Sequence, residues 1–131
     1  AKMLLFEYMI GNTDWNLAAL HNLKIVKRFS DNALLPLPYD FDYSGLVDAY
    51  YAVPNDRVNQ LFVKQRILMG EFPNQQIFQQ TLAEFRAAKV DLLNSCQHIP
   101  QLKTRGREDV ISYLNDFFER IEDPRIASRG L

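Results

Sequence analysis

GNTDWNLAALHN (residues 11–22) runs directly into LKIVKRFSDNALLPLPYDFDYSG (residues 23–45). Leu23, Ile25 and Phe29 alternate with Lys24 and Arg28, which predicts a half-buried strand over 23–29. Ser30-Asp31-Asn32 is a turn signal, and residues 33–39 return extended. Pro36 and Pro38 cannot donate ladder hydrogen bonds, so the returning strand is short or an edge. A hairpin brings its two ends back together. Asp14, His21 and Asn22 precede it, and Asp40 and Asp42 follow it. The topology therefore predicts that these polar groups converge. Asp40 and Asp42 flank Phe41 and share a face if extended, whereas a turn there splays them. Carboxylates gathered with a neutral amide oxygen suit a hard divalent cation such as Mg²⁺.

Outward from the hairpin the pattern is helical. Leu4, Leu5, Tyr8 and Met9 repeat at helical spacing over residues 1–10, and Gly11-Asn12 terminates them. Residues 12–22 read as a loop with one helical turn near Leu17–Leu20, and residues 40–56 as irregular and Tyr-rich. Val58, Leu61, Phe62 and Ile67 predict a helix over 57–69, ended by Gly70 and Pro73. Phe78, Leu82, Phe85, Leu92 and Cys96 form the apolar stripe of a helix over 74–97. A second helix, 107–122, carries Val110, Ile111, Leu114, Phe117, Phe118 and Ile121. Thr104 is its candidate cap and Pro124 its stop. The two helices are expected to pack as an antiparallel pair, and the tail 125–131 to be loose. The fold class expected is mainly α with a small β-hairpin.

The 131 residues are 47% hydrophobic and 24% charged, which fits one soluble domain over 1–131, or one lobe of a larger one. A formal charge of −1 gives no overall field toward nucleic acid or anionic lipid. Residues 1–56 hold seven acids against four bases, which places the acidity in the half that carries the candidate site. The single cysteine, Cys96, excludes an intrachain disulfide and a Cys-based zinc site. No apolar run approaches the ~18 residues of a membrane span. The first residues show neither a basic leader nor a cleavage site, and the uncapped helical opening reads as a fragment of a longer protein.

The order Asp, Asn, short hairpin, Asp-Phe-X resembles the active-site half of the protein-kinase-like fold. The wording NTDWN…HN…PLPYDFDYSG is similar to atypical bacterial kinases of the spore-coat CotH kind. It also resembles a group of uncharacterised bacterial proteins carrying GNTDW…HN…PYDFD. The resemblance covers residues 3–52 and implies the C-lobe portion of a kinase-like domain. It implies Asp14 as catalytic base, Asn22 and Asp40 as metal ligands with Asp42 beside them, and His21 as support. Mg²⁺ and ATP are the implied cofactors, with the nucleotide held through an N-terminal lobe. The isolated chain is then expected to be inactive. Two features depart from the kinase pattern. Asn22 lies eight residues after Asp14, with Ala19 in the usual place, and the third motif is Asp-Phe-Asp.

Other readings of the same residues stand beside this one. A metal-assisted hydrolase would use Asp14, His21, Asp40 and Asp42. In a non-catalytic binding or structural module, Asp14 caps a loop, His21 is a structural histidine, and Asp40 and Asp42 bond to turn backbone. Trp15 and Phe41 read as core. Tyr39, Tyr43, Tyr50 and Tyr51 read as loop packing or a groove lining. Lys103, Arg105 and Arg107 read as a solvated loop or a phosphate contact near a helix start. Cys96 reads as a small buried hydrophobe.

Overall fold

The structure, a computed structural model, describes residues 1–131 apart from the side chains of residues 127 and 128. Helices predominate, with one two-stranded antiparallel hairpin, so the fold is mainly α with a small β-hairpin. The chain divides into two compact units. One is Lys2–Met69; the other is Gly70–Leu131 with Ala1.

The first unit opens with α1 (Lys2–Ile10), in which Leu4, Leu5, Glu7, Tyr8, Met9 and Ile10 are all buried. Apolar residues on every side make this a core helix rather than an amphipathic surface one. Gly11 ends it at φ 66°, the left-handed conformation that glycine adopts without cost. Its N–H donates to the Tyr8 carbonyl at 3.1 Å, and Asn12 N–H donates to the Glu7 carbonyl at 2.9 Å. These are the two bonds of a Schellman cap. Arg66 Nε donates to the Met9 carbonyl at 3.0 Å, placing a cation at the negative end of the helix.

Strands β1 (Leu23–Lys27) and β2 (Leu34–Pro38) pair antiparallel with Leu23 opposite Pro38 and Lys27 opposite Leu34. The hairpin is more solvated than the alternation predicts. Leu23 is buried, but Ile25 is 42% exposed and Phe29, beyond the end of β1, is 97% exposed. Only the root of the hairpin, near residue 23, enters the core. Arg28 and Asp31 pair across the turn, Nε to Oδ1 at 2.8 Å.

Residues 57–69 are not a helix. A single 3₁₀ turn, Asp56–Val58, is capped by Asn55 Oδ1, which accepts from Arg57 N–H at 3.1 Å. It ends at Asn59 in the left-handed region, φ 53°. Gln60, 7% exposed, supplies the physical reason. Its Oε1 accepts from Thr13 Oγ1 at 3.1 Å and from Asn55 N–H at 2.9 Å. Its Nε2 donates to the carbonyls of Val63 and Gln65 at 3.1 and 2.9 Å. One buried amide thus satisfies the backbone of a coiled loop, and Leu61 and Phe62 stay exposed.

In the second unit, Asn74 Oδ1 caps α2 (Gln75–Ala87) by accepting from Ile77 N–H at 2.9 Å. The helix expected over 74–97 is interrupted at Ala88, after which α3 (Lys89–Gln97) follows. Ala88 N–H to Glu84 and Leu92 N–H to Ala88 keep the helical bonding pattern across the break. The next helix, α4 (Thr104–Glu122), starts three residues before the expected 107. Lys103 occupies its cap position without a side-chain cap bond, so Thr104 is the first helical residue and not the cap. Phe78, Leu82, Leu114, Phe117, Phe118 and Ile121 make the core, with Phe85 edge-on to Phe117 at 6.1 Å. Asp123, before Pro124, is extended, as a residue preceding proline must be, and α4 ends there. Arg86 donates to the Ile121 carbonyl at that end. The tail forms one short helix, α5 (Ile126–Arg129), in place of the loose segment expected. Arg107 Nη2 donates to the carbonyls of Ile99 and Leu102, so this arginine clamps the preceding turn. Cys96 is half-buried, and burial pushes its thiol pKa up. Among the described residues, no helix is long and apolar enough to cross a membrane.

Candidate functional site

The loop after α1 is built by side chains bonding to nearby backbone. Asn12 Oδ1 accepts from Asp14 N–H at 3.0 Å, an Asx turn that lifts residue 14 out of the helix direction. Asn16 and His21 exchange backbone bonds of 3.0 Å in both directions and close a small loop, which Asn16 Oδ1 braces by accepting from Ala19 N–H. Leu20 and Asn22 take left-handed φ values of 51° and 52° to make its return corner.

That corner delivers three side chains to one place. Asn22 Nδ2 donates to the Asp14 carbonyl at 2.8 Å and to Asp14 Oδ2 at 3.1 Å. His21 Nε2 lies 3.0 Å from Asp14 Oδ1. Asp14 therefore has one carboxyl oxygen on an amide and the other on an imidazole, which fixes its orientation. With its amide hydrogens committed to Asp14, Asn22 keeps its amide oxygen for a ligand.

The far side of the hairpin supplies the second group. Tyr39 N–H donates to the Asn22 carbonyl at 3.0 Å, so the two hairpin ends meet. Asp40 then turns through φ 62°. This is a turn rather than an extended strand, yet the two carboxyls are not splayed. Asp42 faces Asp40 closely enough to share a hydrogen bond, and this contact, followed by the Asp42 charge, raises the Asp40 pKa. The Asp14 charge adds to the rise and His21 opposes it. Asp14 and Asp40 are thus near enough for their charges to act on each other. Asp42 Oδ2 also accepts from Tyr51 Oη at 3.0 Å, and the Asp42 charge holds that phenol's pKa up. Phe41, between the two acids, is edge-on to Phe6 of α1 at 5.6 Å and anchors the segment.

An open cleft of about 770 Å³ borders this cluster, a size in the range of small-molecule sites. Asp14, Trp15, His21 and Asn22 line it together with Tyr39, Tyr43 and residues 53–58. Asp40 and Asp42 are outside the lining and adjoin these tyrosines in sequence. Trp15 is buried, with Nε1 unpartnered. Tyr43, Tyr50 and Tyr51 pack ring on ring, at 6.0 and 5.1 Å. Among the described residues, no three His, Cys, Asp or Glu side chains form a metal-holding group. The carboxylate pair Asp40–Asp42 with Asn22 fits Mg²⁺ only in its usual manner, one or two carboxylates completed by phosphate oxygens and water.

The 53–58 part of the lining was not legible as part of a site. Asn55 Nδ2 donates to the Thr13 carbonyl at 2.8 Å, and Gln60 binds the Thr13 hydroxyl, so this segment is tied to the Asp14 loop. Pro54-Asn55-Asp56 signals a turn in the sequence, but nothing local indicates what the turn faces. Lys103 and Arg105 lie in the other unit. No family model, curated protein or solved structure matches this chain.

Proposed function

We propose that the Lys2–Met69 unit carries the acceptor-and-metal half of a Mg²⁺-dependent phosphotransferase, resembling the C-lobe portion of a kinase-like domain. The observation that carries this reading is the orientation of Asp14. Its carboxylate is held by Asn22 and His21 on the wall of an open cleft, while Asp40 and Asp42 crowd together beside it. Asp14 orients an acceptor hydroxyl and takes its proton. Such general-base catalysis typically contributes 10²–10⁴-fold in rate. Asn22, Asp40 and Asp42 hold the cation, and His21 steadies Asp14. Bound Mg²⁺ supplies charge neutralisation on the nucleotide phosphates. ATP is the expected donor, covered by a lobe N-terminal to this chain.

Two crowded carboxylates repel unless a proton or a cation lies between them. Asp40 and Asp42 have no Lys or Arg partner among the described residues, which favours the cation. The test is paramagnetic. Substoichiometric Mn²⁺ should broaden the NMR signals of Asn22, Asp40 and Asp42, Mg²⁺ should compete, and Asp40→Asn should abolish the effect. Broadening elsewhere, or none, overturns the metal assignment. In a protein that also carries a nucleotide-covering lobe, Asp40→Asn should abolish Mg²⁺-dependent nucleotide binding by calorimetry. Metal-dependent cleavage of a generic phosphoester by this chain alone would instead establish the hydrolase reading.

A further inference from the structure

Glu7 is the one acid inside a helix that is otherwise a core element, and it is 1% exposed. Neither of its oxygens completes a hydrogen bond, and no charged side chain acts on it from any described element. The helix cap explains why it sits there. In a Schellman cap the residue three before the C-cap (the C-cap here being Ile10) and the second residue beyond it come together, and an apolar pair commonly fills that contact. Here the two positions are Glu7 and Asn12, joined through the Asn12 N–H to Glu7 carbonyl bond. Asn12 is also 1% exposed, and its Nδ2 lacks a completed bond. The Asn12 amide is nevertheless the group that steadies the charged form of Glu7, and both side chains are buried with polar atoms that lack another partner. The other end of the same amide, Oδ1, holds Asp14 N–H at 3.0 Å.

We infer that the buried Glu7–Asn12 pair is a positioning device that sets the pose of Asp14 over the cleft. The carboxyl of Glu7 selects which way the Asn12 amide points. Nδ2 turns toward Glu7, and Oδ1 is thereby presented to the Asp14 backbone. With an apolar residue at 7, the amide loses its reason to choose that orientation, and the Asx turn loses its acceptor. Glu7 touches no substrate in this arrangement. It acts through Asn12, and its buried carboxyl makes the pose sensitive to pH, since the ionised form accepts more strongly than the protonated one.

The inference rests on Asp14 being the functional group of the cleft, but its test needs no nucleotide or metal. Amide hydrogen exchange at Asp14 and the side-chain amide NMR shifts of Asn12 and Asn22 report the pose directly. Glu7→Leu should lose at least tenfold of the protection at Asp14, whereas Glu7→Gln, which keeps an acceptor, should retain it. In the unsubstituted protein the Asn12 and Asn22 side-chain amide shifts should titrate with one midpoint near 7, and in Glu7→Gln that step should vanish. Unchanged protection in folded Glu7→Leu overturns the inference. Should Glu7→Leu not fold, the titration decides, and a missing step or one that persists in Glu7→Gln overturns it equally. Failure here leaves the Mn²⁺ result standing, and the converse also holds.

Discussion

Replacing Glu7 by Gln should stabilise the Lys2–Met69 unit, and the gain should depend on pH in a defined direction. Burial pushes the Glu7 pKa from its ordinary 4.5 to about 7, with the Asn12 amide opposing only part of that rise. Below 4.5 the carboxyl is protonated in both the folded and unfolded chain, and its ionisation costs the fold nothing. Between 4.5 and about 7 the folded state keeps the proton while the unfolded state releases it. The unfolded state then binds fewer protons, so stability falls as pH rises. Above about 7 the loss is complete. At about 1.4 kcal/mol for each pH unit, the interval is worth about 3 kcal/mol. Gln keeps the shape and carries no charge at any pH. Urea unfolding followed by the fluorescence of Trp15, the sole tryptophan and a buried residue of the same unit, gives the assay. Comparing variant and parent at the same pH cancels every other titrating group. The variant's advantage should be about 3 kcal/mol greater at about pH 8 than at about pH 4. An advantage that does not change with pH, or that grows as pH falls, refutes the reasoning.

Four further outcomes follow from other residues. Gln60→Ala removes four hydrogen bonds made by one buried amide and should cost about 2–4 kcal/mol by the same urea assay. It should also raise amide exchange across residues 54–65. Phe117→Ala, at a fully buried ring, should destabilise the helical unit by about 3–5 kcal/mol, read by circular dichroism. Asn74→Ala should cost about 1 kcal/mol through loss of the α2 cap in the same measurement. Asp42→Asn removes the like charge that raises Asp40, so the Asp40 carboxyl pKa should fall toward the ordinary carboxylate range in a ¹³C titration. No fall would show that the two carboxyls are not in contact.

The elements that sequence reading located are those whose cause is local. The hairpin was legible because alternation and Ser30-Asp31-Asn32 act within a few residues. The α2 and α4 stripes were legible because their apolar faces recur at helical spacing. Residues 57–69 were misread for the opposite reason. Val58, Leu61 and Phe62 satisfy helical spacing, but Gln60 is spent on Thr13, 47 residues away, and such a bond leaves no local trace. Phe29 was assigned to a buried face because alternation predicts which side a residue takes, not whether anything covers that side. The meeting of Asp14, His21 and Asn22 with Asp40 and Asp42 was legible from topology alone, since a hairpin must return its ends. Glu7 was not legible as a special residue. A single acid in an apolar helix reads as a solvent-facing position, and its burial depends on contacts that the helix does not encode.

The two prolines of β2 fix how far apart the hairpin's ends stand. Tyr39 N–H bonds to the Asn22 carbonyl and Arg28 N–H to the Ala33 carbonyl. Alternation from either end makes the pairs of Leu23 with Pro38 and Ile25 with Pro36 the non-hydrogen-bonded ones. Both prolines therefore stand where no N–H is wanted. A slip of one residue would put both into bonding positions, cost two ladder bonds, and turn every side chain of the strand over. The same slip would carry Asp40 one residue along relative to Asn22. The prolines thus act as a gauge block for the gap between those two side chains, holding it constant although most of the hairpin lies in solvent.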